Sequence, residues 1–580
     1  MEQTNEQLQL RIRELEKEIA KLHTQIKKER YGLVWLDVPE GFEQESENQI
    51  PVLEEVKDKA IKNSDGKPTH IIIEGDNYHA LTCLNYTHKG KIDVIYIDPP
   101  YNTGSDGFTY KDKRFLKEFP DGSPVPKEHP LRHSYWLSFM SKRLELAKNL
   151  LSEKGVIFIS IDDNEQANLK LLCDKIFGEE NFVATVPWRK RTAKADVPFG
   201  ISQDYEWVVC YAKAKFIAAI EGKDRKYYVT DDYPNRPWRF HDLTKQTTIK
   251  ERPNSNFSMI NPKTGKEYPV NPLRSWAITK ETFDYYYKEN RIIFPGDYDF
   301  LKITKPVLRY WKEDDEKKAS GNFGQVAATT FLPQEVGMTQ DGTKEITDIF
   351  GDKMFAFPKP TSVISYYLKI ATARNKTAII LDFFAGSGTT LHATMKLNAE
   401  DGGNRQCILV QQSEGDKNIC EQVTYERNKR VINGYTNAKG ETVEGLGNSL
   451  KYYRTAFVGK NPPRRATDYD KTELSKKAGC LLALAENTLE EIEASNSYQI
   501  FSDGKKHYTG VYFTGRLSEI QTFTQKLETL RDQNRRIRIT AYFFCWGDCA
   551  QFEDEFTSLE RISLQPIPKP ILDIYQSINR

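Results

Sequence analysis

Short apolar runs alternate with amphipathic stretches in two separated parts of this chain. The runs predict strands at 70–73, 92–97, 155–161, 183–188 and 205–211, and later at 377–382 and 407–411. The amphipathic stretches between them predict helices at 78–86, 134–152, 164–177, 361–373 and 391–397. Strands that alternate with helices are typical of a doubly wound sheet, so we expect both parts to contribute to one α/β sheet.

The N-terminal segment has a different period. Leucine and isoleucine recur at positions 8, 12, 15, 19, 22 and 26, in alternating steps of four and three. This seam predicts a helix over 1–30, either in a two-stranded parallel coiled coil or folded back on its own domain. A polar, acidic linker is expected to follow over 31–64.

The middle and the end of the chain lack the regular alternation. Over 213–354, aromatic and charged residues intermix without a clear period. Over 450–580, a helix is predicted at 475–493 and alternating stretches occur at 508–513 and 537–544. The last segment is therefore expected to be a small α/β appendage, used for dimer or partner contact.

The strand predicted at 92–97 leads directly into Asp98-Pro99-Pro100-Tyr101. The prolines have a fixed φ and no N–H, so we expect their carbonyls to be free for a substrate amine. Asp98 supplies a second acceptor, and Tyr101 supplies a flat face on which a ring can stack. The tetrapeptide predicts a pocket for the amine of a base pulled out of its stack, although an ordinary strand ending in a Pro-Pro turn would look the same.

A glycine-rich turn follows the strand predicted at 377–382. It reads Asp382-Phe383-Phe384-Ala385-Gly386-Ser387-Gly388-Thr389 and leads into a predicted helix. Such a turn lets a ligand approach the backbone beside the positive end of the helix. A dinucleotide fingerprint would need a third glycine where Leu391 stands, and no Gly-Lys-Ser/Thr ends the turn, which disfavours NAD and nucleoside triphosphates.

Composition narrows the class of protein. The chain has 83 Lys and Arg against 82 Asp and Glu, a formal charge of +1, so any surface for nucleic acid has to be a local patch. The eight cysteines include no Cys-x-x-Cys pair, which predicts reduced thiols and no metal site. The N-terminus is charged and no apolar run approaches the roughly 20 residues of a membrane span, so a cytoplasmic bacterial protein is expected.

Together, the two motifs resemble those of amino-methylating DNA methyltransferases, whose cofactor is S-adenosyl-L-methionine (AdoMet). Their order, with the Asp-Pro-Pro-Tyr motif first, resembles the permuted beta class, in which a target-recognition region separates the motifs. The segments 31–35, 75–77, 136–140 and 155–165 also resemble the modification (Mod) subunits of Type III restriction–modification systems. The resemblance extends from about residue 31 to residue 457.

The resemblance implies a circularly permuted, Rossmann-like methyltransferase sheet. Its halves would be 65–212 and 355–449, with the target-recognition domain between them at 213–354 and the C-terminal domain at 450–580.

It also implies an AdoMet site. The expected cofactor residues are Asp76 at the adenine end, Lys359 and Pro360 at the methionine part, Asp98, the glycine turn from Asp382 to Thr389, and Gln411 at the ribose. Gln411 stands where the family usually has an acid, and Glu414 is the alternative ribose residue.

A basic loop lies between the strands predicted at 183–188 and 205–211. Such clusters are usually solvated turns, but this one lies next to the expected pocket and includes a tryptophan. The side chains predicted to contact DNA are Trp188, Arg189, Lys190, Arg191 and Lys194.

The activity that the resemblance implies is methylation of the N6 amine of adenine in duplex DNA, after base flipping. The aspartate that opens the motif resembles adenine-directed members, and cytosine N4 is the minor alternative. The chain would act as a homodimer with an ATP-dependent helicase–nuclease (Res) subunit. The other readings are a stand-alone DNA methyltransferase, a non-catalytic DNA-binding specificity module and an RNA methyltransferase.

Overall fold

The structure is a computed structural model that divides into two compact units, residues 1–218 with 329–580, and residues 219–328. It describes Ile12, Leu15, 33–38, 40, 49–104, 112–120, 122–192, 200–214, 216, 218–221, 225–319, 325–413 and 418–578. Ile12 and Leu15 are helical and exposed, and the rest of the predicted N-terminal helix lies outside the described residues. In the described ranges, no helix has the length and apolar character needed to cross a membrane.

Helices and strands alternate through the first unit up to residue 212 and again from residue 339. The first stretch contains β1 (Ile50–Glu55), β2 (Thr69–Glu74), α1 (Asn77–Thr87), β3 (Ile92–Ile97), α2 (Ser134–Leu150), β4 (Leu151–Ile161), α3 (Gln166–Phe177), β5 (Phe182–Arg189) and β6 (Tyr205–Ala212). The second unit contains β7 (Ile220–Glu221), β8 (Tyr228–Thr230), β9 (Tyr233–Asp242), β10 (Thr244–Lys245), β11 (Met259–Ile260), β12 (Glu267–Tyr268), β13 (Ser275–Trp276), α4 (Lys280–Lys288), β14 (Ile292–Ile293), β15 (Val307–Trp311), α5 (Lys312–Ala319) and β16 (Gln325–Val326).

The chain then completes the first unit. These elements are α6 (Thr339–Phe350), α7 (Thr361–Thr372), β17 (Ile379–Asp382), α8 (Thr389–Asp401), β18 (Gln406–Gln411), α9 (Glu426–Asn433), β19 (Gly434–Thr436), β20 (Thr442–Glu444) and β21 (Ser449–Val458). The C-terminal part adds α10 (Asp468–Lys477), α11 (Gly479–Glu486), β22 (Glu490–Ala494), β23 (Tyr498–Ser502), β24 (His507–Tyr512), α12 (Ile520–Gln533), β25 (Arg538–Phe544), β26 (Ile562–Ile567) and α13 (Lys569–Ile578).

Nine strands form one sheet in the order β1-β21-β2-β18-β17-β3-β4-β6-β5. The strands from β21 to β4 run parallel. β2, β18, β17 and β3 are buried over most of their length, as the continuous apolar runs of β2 and β3 predict. β17 and β3 are neighbours, with Leu381 opposite Ile95. From this pair the chain winds in opposite directions, toward β18 on one side and β4 on the other. The predicted doubly wound, permuted sheet is confirmed, and its switch point lies between β17 and β3.

The predicted domain boundaries need correction at both ends of the sheet. β1 lies inside 31–64, which we predicted to be a linker, and pairs antiparallel with β21 as an edge strand. β21 itself was assigned to the C-terminal appendage, but it pairs in parallel with β2. The linker prediction failed because the apolar run of β1, Ile50 to Leu53, is only four residues long and has acidic neighbours.

The C-terminal part beyond β21 has its own five-stranded sheet, β22-β23-β24-β25-β26. Its core includes Tyr498, Phe523 and Phe543, all of them buried. The single helix predicted at 475–493 is wrong: α10 and α11 end by residue 486, and β22 follows. The apolar face of α11 made the pattern look like one continuous helix.

The second unit lies within the interval 213–354 predicted for target recognition. It has a four-stranded antiparallel sheet, β14-β15-β9-β8, over a core that includes Trp238 and Trp311. Its first and last strands pair with each other, and Ile220 lies opposite Val326. Residues 329–354, including α6, belong to the first unit.

Candidate active site

The Asp-Pro-Pro-Tyr turn leaves the carboxyl end of β3 at the switch point. The fully buried indole of Trp136 on α2 donates from Nε1 to the Pro100 carbonyl at 2.7 Å. This corrects the expectation that both proline carbonyls are free, because the Pro100 carbonyl is used to fix the turn. Among the described residues, no donor is bonded to the Pro99 carbonyl, which is the acceptor left for a substrate.

Asp98 is the centre of a cluster of charged and polar side chains. Lys359 Nζ lies 2.9 Å from both Oδ1 and Oδ2 of Asp98, and 2.8 Å from the hydroxyl of Tyr101. The Tyr101 hydroxyl donates to Asp98 Oδ1 at 2.7 Å and lies 3.2 Å from Glu206 Oε2. Lys359, which we predicted to pack against the methionine part of AdoMet, directs its ammonium at the carboxylate of Asp98.

Burial and neighbouring charges set the protonation states of Glu206 and Tyr101 in this cluster. Burial raises the pKa of the Glu206 carboxyl, but the ammonium groups of Lys359 and Lys190 outweigh it, so the pKa is lowered overall. Burial, with the negative charges of Asp98 and Glu206, raises the pKa of Tyr101 well above its ordinary value, so its hydroxyl stays protonated. Tyr101 therefore acts as a donor to the carboxylates at neutral pH.

The glycine turn connects β17 to α8 beside this cluster. Gly386 and Gly388 have φ of +50° and +73°, a region that favours glycine. The Asp382 carboxylate accepts from the Phe384 amide at 3.0 Å and from Thr390 Oγ1 at 2.5 Å, which closes the turn. Burial raises the pKa of Asp382 to about 7, and the nearby charge of Asp98 adds to the rise.

A buried arginine, which the sequence analysis missed, supports the glycine turn from behind. Arg427 is fully buried and donates to Thr389 Oγ1 at 2.6 Å and to Ser387 Oγ at 3.2 Å. Its other amino group donates to Glu345 Oε2 at 3.2 Å, and Glu345 also accepts from the Thr361 amide. Burial lowers the pKa of Arg427 to about 10, so it remains charged. Arg427 and Glu345 thus connect the glycine turn to the segment that carries Lys359.

Both motifs face one cavity of about 840 Å³, measured with its open mouth. The predicted site residues that line it are Asp98, Pro100, Lys359, Asp382, Phe383, Phe384, Ala385, Gly386, Ser387, Thr389 and Gln411. Pro99, Tyr101, Pro360 and Gly388 are not among the lining residues, although Tyr101 contacts Asp98 and Lys359.

Asp76 does not line the cavity. Its carboxylate caps α1 by accepting from the Tyr78 amide at 2.7 Å. The lining residue here is Asn77, which donates to the Phe383 carbonyl at 3.0 Å. The side-chain oxygen of Gln411 accepts from the Gly386 amide at 2.6 Å, so Gln411 supports the turn within the fold.

The lining residues fit AdoMet by charge and by aromatic character. Asp98 and Asp382 offer carboxylates to its positive sulfonium and amino groups, and Arg114 offers a guanidinium to its carboxylate. The aromatic walls, Phe139, Phe355, Phe357, Phe383 and Phe384, suit a purine ring. The described residues contain no group of three or more His, Cys, Asp and Glu placed to hold a metal ion.

The predicted DNA-contacting loop divides into buried and exposed side chains. Trp188 is 2% exposed and donates from Nε1 to the Gly337 carbonyl at 3.0 Å, so its assignment to DNA contact is wrong. Its place on β5, not in the loop, puts it in the core. Lys190 contacts Glu206 at 3.4 Å, while Arg189 is exposed and Arg191 is partly exposed. Lys194 lies outside the described residues.

Comparison with known proteins identifies the family of this chain. Residues 92–433 match a family model described as DNA methylase, of the N6/N4 kind. The chain is 33% identical over 431 residues to the StyLTI Mod subunit of a Type III restriction-modification enzyme from Salmonella typhimurium, covering 68% of this chain and 61% of that protein. It is 31% identical over 411 residues to the Type II methyltransferase M.KpnI of Klebsiella pneumoniae, covering 66% of this chain and 90% of that protein.

A putative DNA modification methylase from Thermus thermophilus, solved with S-adenosyl-L-methionine, covers 66% of this chain and 99% of that chain at 13% identity, with a TM-score of 0.29. The chain spans less than two thirds of the length of the Salmonella protein. The family model, in contrast, spans both motifs and everything between them. AdoMet is the methyl donor of this family, and on this evidence the chain belongs to the N6/N4 DNA methylase family.

Proposed function

We propose that this protein transfers a methyl group from AdoMet to the N6 amine of adenine in duplex DNA. We also propose that it is the modification subunit of a Type III restriction–modification system. The observation that carries the first proposal is that the Asp-Pro-Pro-Tyr turn and the glycine turn face one cavity, at the carboxyl ends of adjacent strands. The proposed site of the methyl donor and the groups proposed to bind the target amine therefore lie in the same cavity.

The site residues act mainly on the target amine. Bound AdoMet supplies a methyl group on a positively charged sulfur, which is already a strong electrophile. The lone pair of an exocyclic amine is delocalised into its ring, so it has to be localised before it can attack. Asp98 and the Pro99 carbonyl can accept the two N–H groups, which localises the lone pair and aims it. The amine loses its extra proton readily after methylation, so Asp98 serves as acceptor and orienter.

The base has to leave the duplex to reach this cavity. Unpairing and unstacking cost a few kcal/mol. The ring of Tyr101 offers a stacking face that repays part of this, since stacking on an aromatic side chain contributes about 1–3 kcal/mol. Its hydroxyl, fixed by Asp98 and Lys359, holds the ring at the mouth of the acceptor site.

The similarity to a named Mod subunit and the aspartate at the first position of the motif support the adenine and Type III proposals. A homodimer with a separate helicase–nuclease is the assembly that this reading requires. The runner-up is a stand-alone methyltransferase, which the similarity to a Type II methyltransferase supports. The second unit, with its intermixed aromatic and basic side chains, is our candidate for the part that reads the DNA sequence.

The test is methylation of duplex DNA by the purified full chain with AdoMet, followed by mass spectrometry of the nucleosides. We expect N6-methyladenine, and N4-methylcytosine instead would refute the adenine assignment. No methylated nucleoside would refute the activity, while methylation of RNA in preference to DNA would favour the RNA alternative. Light scattering and co-purification from the host test the dimer and the nuclease partner. If no helicase–nuclease co-purifies with an active chain, the stand-alone reading replaces the Type III reading.

A further inference from the structure

Lys359 is shared between two carboxylates that come from different strands. Its Nζ lies 2.9 Å from both oxygens of Asp98, which follows β3, and 3.3 Å from Oε2 of Glu206, which lies on β6. The side chains of Lys359 and Glu206 are only 9% and 13% exposed. Glu206 belongs to neither motif, yet its carboxylate contacts the same ammonium as the carboxylate of Asp98.

The contacts of Lys359 and Tyr101 with Asp98 compete with the hydrogen bond from the target amine that the proposed reaction requires. Asp98 has to accept an N–H from the target amine, but Lys359 contacts both of its oxygens and Tyr101 donates to one of them. Hydrogen bonds between an ammonium and a carboxylate are roughly twice as strong as those between neutral groups. A neutral amine therefore does not displace Lys359 from Asp98 unless the ammonium has a second carboxylate to contact.

We propose that Glu206 is a positioning residue that receives the Lys359 ammonium when the target amine takes its place on Asp98. The inference rests on the proposed function, since it assumes an amine that binds Asp98. The required movement is small because Nζ already lies 3.3 Å from Glu206 Oε2. The exchange keeps the ammonium paired, so no buried charge is left without a partner of opposite charge.

The surroundings of Glu206 suit this role. Lys190 Nζ lies 3.4 Å from Oε1, and the Tyr101 hydroxyl lies 3.2 Å from Oε2. Asp98, Glu206, Lys359 and Lys190 carry two negative and two positive charges, so the cluster stays neutral whichever carboxylate Lys359 contacts. Glu206 remains ionised in this setting because the two lysines outweigh the effect of burial on its pKa.

The test replaces the charge and keeps the shape. In Glu206→Gln, we expect kcat for methyl transfer to fall about tenfold or more, because an amide is a weaker partner for an ammonium than a carboxylate. AdoMet affinity by calorimetry and DNA affinity by gel shift should stay within about twofold of wild type, since the change lies beside the proposed place of the target amine. Glu180→Gln is the matched control: it makes the same chemical change at an exposed site before β5 and should leave kcat unchanged.

A further readout separates this role from general damage to the site. DNA with 2-aminopurine at the target position has no amine at C6, so its fluorescence on binding should be the same for Glu206→Gln and wild type. If Glu206→Gln does not fold, Glu206→Asp, which keeps the charge but draws it back, should lower kcat by more than about twofold and by less than the tenfold expected for Glu206→Gln. Turnover of either folded variant within twofold of an active wild type would overturn the inference alone. An inactive wild type would overturn the proposed function and this inference with it.

Discussion

Replacing Trp136 by phenylalanine tests whether one indole N–H fixes the Asp-Pro-Pro-Tyr turn. Trp136 is fully buried, and its Nε1 donates to the Pro100 carbonyl at 2.7 Å. Phenylalanine keeps an aromatic ring but removes the donor, and leaving a buried carbonyl unsatisfied costs about 1–3 kcal/mol. The smaller ring leaves a gap that costs about 1 kcal/mol more. We therefore expect the free energy of unfolding to fall by about 2–4 kcal/mol.

The effect on the rate should exceed what the loss of stability explains. The Pro100 carbonyl is two residues from Asp98, and displacing a reacting group by about 1 Å can lower the rate about a hundredfold. We expect kcat, measured by transfer of labelled methyl to DNA at saturating substrates, to fall by about tenfold to a hundredfold. AdoMet affinity, measured by calorimetry, should change much less because the glycine turn is intact.

Trp276→Phe in the second unit is the matched control. Trp276 is 1% exposed and donates from Nε1 to the Phe257 carbonyl at 2.8 Å, so its replacement removes the same kind of bond. Urea denaturation should show a similar loss of stability, while kcat at saturating DNA should stay unchanged. A Trp136→Phe variant that loses stability but keeps kcat would show that the indole does not position the turn, and would refute the reasoning.

Three further substitutions test the other parts of the site. Asp98→Ala should abolish methyl transfer. It should leave DNA affinity in a gel shift nearly unchanged, because that affinity comes mostly from phosphate and groove contacts. Methyl transfer within tenfold of wild type would contradict the role of Asp98. Gly386→Val should weaken AdoMet binding at least about tenfold in calorimetry, because the backbone φ of residue 386 is +50° and an added Cβ would lie 3.2 Å from Phe355 Cζ. Unchanged affinity with an intact circular dichroism spectrum would place the cofactor elsewhere. Asp382→Asn should remove a pH dependence of stability, since burial raises the pKa of this carboxyl from 3.8 to about 7. The folded chain holds this proton more tightly than the unfolded chain, so wild-type stability should fall as pH rises through that window. The difference in melting temperature between Asp382→Asn and wild type should grow in the same window in thermal melts without AdoMet, and a constant difference would count against the raised pKa.

Local sequence signals located the two motifs and the strands that carry them. β3 and β17 are short apolar runs followed by residues with strong conformational preferences, Pro99 and Gly386. Such signals are contained within about ten residues, so they can be read without knowing what packs against them. The doubly wound sheet followed from the alternation of such elements.

The contacts that organise the site were beyond local signals. Lys359 reaches Asp98 across 261 positions of the chain, and Arg427 reaches Thr389 across 38. No motif surrounds Glu206, which is the single charged residue in a strand of apolar and aromatic residues. The sequence therefore contains no sign that it contacts Lys359. Charged side chains in strands and helices are usually solvated, so burial and pairing become visible only once the fold is known.

The pairing of β7 with β16 gives the second unit a closed neck. Ile220 and Val326 are opposite each other in an antiparallel pair, so the chain enters and leaves this unit at points about 5 Å apart. The distance between the two ends of residues 219–328 is therefore set by this strand pair and not by the length of the sequence between them. A unit of this kind can be exchanged between related chains, or lengthened by further strands, without changing the span that the methyltransferase sheet has to close. Residues 219–328 can therefore diverge in sequence and length while the strands that lead into Asp98 and the glycine turn stay the same.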